Sequence, residues 1–155
     1  MLVENNYPVV NSVDPDVMAD LMRQIAPAEW KAQKRKVFED IQRLMFKRLD
    51  YSDMFKIMDG FKYNGLTLYS VVQAENGEPV WSNIYIRNFE TRDNEMYVDP
   101  NLSEKVLIGE DVLSVFAYNF ADDCFESRDK ASTAYVIETY ANFSTFMSAL
   151  IGTVN

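Results

Sequence analysis

The chain has 155 residues, of which 48% are hydrophobic and 14% aromatic, enough apolar material for one core and too little for two. A net charge of −9 disfavours nucleic acid and anionic lipid, since both polyanions repel it, and makes a basic protein the natural complement. Cys124 is the single cysteine, so no intramolecular disulfide can form, and the absence of histidine removes the commonest general base and transition-metal ligand.

The N-terminal residues Met1 to Pro8 lack the basic region of a leader. No run approaches the roughly 18 apolar residues a membrane span needs, so a cytoplasmic, membrane-free chain is expected. The first helix should open at Asp14-Pro15-Asp16, with Asp14 as N-cap and Pro15 at the first helical position. Val17, Met18, Leu21, Met22 and Ile25 would form its buried stripe, and Pro27 would end it. A long amphipathic helix follows, with Trp30, Val37, Phe38, Ile41, Leu44, Met45 and Leu49 on one face and the basic run Lys34-Arg35-Lys36 elsewhere, read as a solvated face. A third, short helix over 52–59 would bury Phe55, Ile57 and Met58.

The stretch 59–66 is where helical periodicity gives way to alternation. Gly60 suits a helix C′ position with positive φ, and Asn64-Gly65 tolerates left-handed backbone. Leu66 to Val71 reads as the first strand, and 75–79 as a turn. Residues 81–101 read as a long excursion with one short helix and as a candidate recognition surface. Strand signals then crowd together at 106–109, 112–118, 124–127 and 134–139, with gaps short enough for antiparallel hairpins. A closing helix over 142–151 would start at the capping residue Asn142, bury Phe143, Phe146, Met147 and Leu150, and stop at Gly152. The expectation is a single α+β domain with a mostly antiparallel sheet of five to six strands. Its helical part would occupy 14–59, its sheet part 66–140 and its C-terminal helix 142–151.

Chemistry is harder to find than architecture. Cys124 has no histidine partner, and Asp122, Asp123 and Glu126 nearby would raise its pKa, which favours a structural thiol. The acids Asp122, Asp123, Glu126 and Asp129 do not follow the spacing of a calcium loop, and solvated turn acids are the better reading. Glu110-Asp111 and Glu138 would have to converge to act as an acid and base on glycosides. The glycines are dispersed singly, without a phosphate loop. No metal, no cofactor and no catalytic residue are therefore expected.

Several short stretches resemble the SUKH superfamily, in its YrhA-like branch. They are Lys56 to Tyr69 with its Asp-Gly and Asn-Gly pairs, Val106 to Asp111, Val115 to Asn119, and the ending Ile137 to Phe146, over about residues 40–152. The resemblance implies an α+β fold, no catalytic role, and an immunity protein that binds and neutralises a bacterial toxin. A general interaction or regulatory module and a carboxylate-dependent hydrolase stand as alternatives. The family's contact residues diverge, so none carries over by position. Charge selects them instead: residues 87–155 hold five basic and twelve acidic side chains, whereas 14–50 are nearly balanced. The expected contact set is Asp93, Glu95, Asp122, Asp123 and Glu126, with Tyr97 and Tyr118 as aromatic anchors for a basic toxin domain.

Overall fold

The computed structural model describes residues 12–93 and 98–154. Three helical pieces come first: α1 (Pro15–Arg23), α2 (Ala32–Lys47) and α3 (Leu49–Ser52), the last running into a 3-10 turn over Asp53–Lys56. Strands β1 (Phe61–Tyr63) and β2 (Leu66–Leu68), a small hairpin of β3 (Ala74–Glu75) and β4 (Glu78–Pro79), and helix α4 (Ile84–Arg92) follow. Strands β5 (Lys105–Glu110), β6 (Ser114–Asn119), β7 (Cys124–Asp129) and β8 (Val136–Tyr140) lead to helix α5 (Phe143–Val154). Six strands form one antiparallel sheet in the order β1-β2-β5-β6-β7-β8. This is the expected α+β architecture, with helices before the sheet and one after it.

Local signals explain most boundaries. Asp14 caps α1 through its carboxylate, which accepts from Asp16 N, and Pro15 takes the first helical position. Asn142 caps α5 by accepting from Thr145 N. That helix lays Phe143 and Phe146 against the rings of Phe116, Phe125 and Tyr140. Helix α2 buries Val37, Phe38, Ile41, Leu44 and Met45 as its periodicity requires.

The departures have physical reasons. α1 ends at Arg23 because Gln24 is extended, so Ile25 lies beyond the helix and is exposed, as is Val17, leaving only Met18, Leu21 and Met22 half against the core. Trp30 precedes α2 and sets its ring edge-on to Phe38 and Phe89. Arg48 leaves helical geometry at φ −116°, ψ 84°, which resets the helical phase. Tyr51, Met54, Phe55 and Met58 consequently point inward, while Leu49 and Ile57, expected inside, face solvent. Gly60 does have positive φ, but it follows no helix directly. Asn64 and Gly65, both with positive φ, form a two-residue turn joining Phe61–Tyr63 to Leu66–Leu68, so a strand stands where only a turn was expected. Gly152 lies inside α5 and does not end it.

Residues 84–92 form a regular helix, capped by Asn83 Oδ1 accepting from Tyr85 N and Ile86 N. α4 also completes the sheet. Strand β2 is in register with β5 at Gly109 and Glu110, Tyr69 N just beyond it donates to Ile108 O, and Asn88 supplies the partner further along: its Nδ2 donates to Leu107 O at 2.9 Å and its Oδ1 accepts from Leu107 N at 2.8 Å. Arg92 Nη1 donates to Lys105 O at 3.1 Å. Two side chains thus satisfy a buried strand edge that would otherwise hold unpaired backbone groups.

Candidate binding surface

Of the acids selected by charge, Asp93, Asp122 and Asp123 lie toward one end of the sheet, and Asp123 and Glu126 are engaged in ion pairs within the molecule. Lys105 pairs with Asn119 in register, and Arg92 holds Lys105 O, which ties the C-terminal end of α4, where Asp93 sits half-buried, to the β6–β7 turn with Asp122 and Asp123. Arg48 projects into this end. Its Nη1 donates to Asp123 Oδ1 at 3.1 Å, and Nε and Nη2 grip both oxygens of Asp50 at 3.0 and 2.7 Å. Nη2 also reaches Ala141 O, and Asp50 Oδ2 accepts from Phe143 N at the start of α5. Arg48 is therefore a staple joining α2, the β6–β7 turn and α5.

Tyr118 is fully buried, and its hydroxyl donates to Asp123 Oδ1 at 2.5 Å. Glu126 is buried as well, bonded to Arg128 Nε at 2.6 Å. Neither presents a surface to a partner, which corrects the expected contact set. Asp122 is exposed, its carboxylate accepting among the described residues only from Asn119 Nδ2 at 3.3 Å. Glu95 and Tyr97 lie outside the described residues. Hydrogen bonds from Arg48 hold Asp50 below the ordinary carboxylate range against the opposing pull of burial, and those from Tyr118 and Arg48 do the same for Asp123. Burial first, then Glu126, Asp122 and Asp123, push the Cys124 thiol up, which suppresses thiolate.

The other carboxylates do not assemble a reactive pair. Glu110 accepts from Tyr69 Oη and from Lys130 Nζ, each at 2.7 Å, with Arg87 at 3.4 Å. Burial alone would raise its pKa, but the bonds from Lys130 and Tyr69 outweigh that and hold it low. Glu138 lies three strands further along, and the registers Glu110↔Val115↔Arg128 and Ser127↔Glu138 put the two acids on opposite faces. They do not converge as glycoside chemistry requires. Among the described residues no group of three or more Cys, Asp or Glu could hold a metal ion.

These depressed carboxylates set the acid side of the stability profile. A folded pKa below the unfolded one contributes stability that is present above the unfolded value and lost as pH falls through the folded one. Urea midpoints should accordingly hold steady down to about pH 5 and decline below about pH 4, where ordinary carboxylates protonate in the unfolded chain. Asp50→Asn should flatten that decline, and an unchanged acid limb in the variant would refute the assignment.

The opposite end of the sheet carries what the sequence reading overlooked. Val112 and Leu113, in the β5–β6 turn, are each 75% exposed, and Tyr135, Val136 and Ile137, at the start of β8, are 64%, 36% and 48% exposed. Backbone bonds make these neighbours: Lys130 N donates to Leu113 O at 2.9 Å and Asp129 N to Tyr135 O at 3.0 Å. The result is a group of exposed apolar side chains at this end of the sheet, on both of its faces, with Asp111, Asp129 and Glu138 close by in the chain and the register, a mixture of apolar and acidic groups suited to a protein contact. A signal was present, since three consecutive apolar residues in a strand cannot all face one core.

Comparison with known proteins adds one relative. Over 88 residues the chain is 32% identical to the uncharacterized protein YrhA of Escherichia coli (strain K12), a stretch that covers 57% of this chain and 62% of that protein. No family model matches the chain. No solved structure matches it either. Among the described residues no helix is long and apolar enough to cross a membrane.

Proposed function

We propose that this chain is a non-catalytic acidic binding protein of the SUKH type, working in the cytoplasm as an immunity protein that neutralises a bacterial toxin with a basic domain. One observation carries the reading. Arg87, Arg92, Arg128 and Lys130, four of the five cations between residues 87 and 155, are held in ion pairs inside the molecule, so Asp111, Asp122, Asp129 and Glu138 have no cationic partner among the described residues. The exposed apolar patch has three of those acids close by. A basic domain gains contact area from the patch and attraction from the acids, and the field speeds encounter.

The test is growth rescue. A basic protein captured from the producing strain should arrest growth when expressed alone, and co-expression of this chain should restore it. Tyr135→Ala and Leu113→Ala alter exposed side chains and should leave the melting temperature unchanged. Each should weaken binding by about 2 kcal/mol, roughly thirtyfold in Kd. Raising the salt should slow association. Rescue undiminished in the double variant would reject this surface, and a captured partner without toxicity would reject the immunity role.

A further inference from the structure

We propose that β8 accepts an extended segment of the partner as a seventh strand, so that recognition runs through backbone as well as side chains. This rests on the reading of that sheet end as the binding surface. Among the described residues β8 pairs with β7 on one side only, and its side chains from Val136 to Thr139 are exposed on both faces, unlike those of β5, β6 and β7, which are mostly buried. Tyr135 O accepts from Asp129 N, so Tyr135 faces β7, and by the alternation of an antiparallel ladder Val136 turns its N–H and C=O outward. Edge strands are commonly blunted by lysine, proline or a covering loop. The sequence Val136-Ile137-Glu138-Thr139-Tyr140 has no lysine or proline, and its one irregularity is a bulge against Ser127 and Arg128. That bulge adds local twist, itself a device that blunts an edge against flat stacking, so a partner strand has to follow the twist to reach the outward groups of Val136.

Charge decides the occupant. Symmetric pairing of two copies would bring two chains of −9 together, whereas a segment with cations at alternate positions turns them toward the face that carries Asp129 and Glu138 and sets its apolar residues on the face of Val136.

The probe is the peptide acetyl-Lys-Val-Lys-Val-Lys-Val-amide added to the isotopically labelled full chain. It should bind saturably and slow exchange of the Val136 amide at least tenfold. The same peptide N-methylated at alternate residues, or with glutamate for lysine, should not bind. Val136→Pro, which removes an outward donor, should abolish binding. Val136→Ala, which keeps the amide and guards against misfolding of the proline variant, should retain it. The proposal is overturned if no saturable binding occurs, if the N-methylated peptide binds equally well, or if the chain dimerises through this edge. It also fails if the peptide shifts only side-chain signals of Leu113 and Tyr135, an outcome that leaves the patch standing as a binding surface. Growth rescue by patch variants reads the immunity role separately.

Discussion

Replacing Asp40 by alanine should cost about 3–5 kcal/mol of folding stability, because it leaves a guanidinium buried without its counter-charge. The Arg92 side chain is 1% exposed, the largest fully buried one, and its Nη2 lies 2.7 Å from Asp40 Oδ2. Lys36 Nζ approaches the same oxygen at 3.1 Å from the half-exposed side, and Arg92 Nη1 is held by Lys105 O. The Arg92 Nε is buried with no hydrogen-bond partner among the described residues, so the desolvation of this cation is already incompletely compensated. Removing the carboxylate exposes that deficit. Removing both charges, as in Asp40→Leu with Arg92→Met, should return most of the loss, since apolar packing of similar volume competes well with a buried ion pair. Urea denaturation of the two single variants and the double variant measures the cycle. A loss below about 1 kcal/mol in Asp40→Ala would mean that water reaches Arg92 and that the α2–α4 contact rests on its apolar residues.

That pair also shows where sequence reading stops. Asp40 stands beside a basic helical face that reads as solvated, and Arg92 stands in a segment that reads as a long excursion with one short helix. Their meeting depends on α4 crossing α2 over a separation of 52 residues, which no local pattern encodes. Where the information is local, the reading succeeds. The capping of α1 by Asp14, the buried stripe of α2, the hairpin strands after residue 105 and the start of α5 each follow from a few adjacent residues. It fails where one residue shifts a phase, as Arg48 does for Leu49 and Ile57, or where a charge is internal to the fold, as with Glu126 against Arg128. Glu126 entered the expected contact set for the second reason: summed charge finds an acidic half but does not tell a buried ion pair from a free carboxylate. Exposed apolar residues at Val112, Leu113 and Ile137 were assigned to strands, whose propensity they do satisfy, and only the sheet order reveals that β8 is an edge.

Gly60→Ala should destabilise the fold by about 3 kcal/mol, combining the strain of a side chain at left-handed φ with overpacking against backbone. Gly60 has φ +87°, and a Cβ there would lie 2.7 Å from Leu68 O and 3.2 Å from Ser70 N, atoms of a chain segment that cannot swing aside. The neighbouring Asp59 explains why the approach is so close. Its buried carboxylate accepts from Val71 N at 2.7 Å and from Val72 N at 3.0 Å, drawing the chain beyond β2 back onto the turn. The Asp-Gly pair is thus one device, an acceptor that pulls two backbones together and a residue small enough to let them meet. Gly77 separates the two contributions, because it has a similar φ of +81° in the β3–β4 turn with nothing within 4 Å of an added Cβ. Gly77→Ala should therefore cost only the conformational part, about 1 kcal/mol. Equal losses at the two positions would show that the backbone conformation alone matters and that Asp59 does not clamp the turn. A loss at Gly60 several times that at Gly77, shared by Asp59→Ala, would locate the constraint in the contact between residues 59–60 and 68–72.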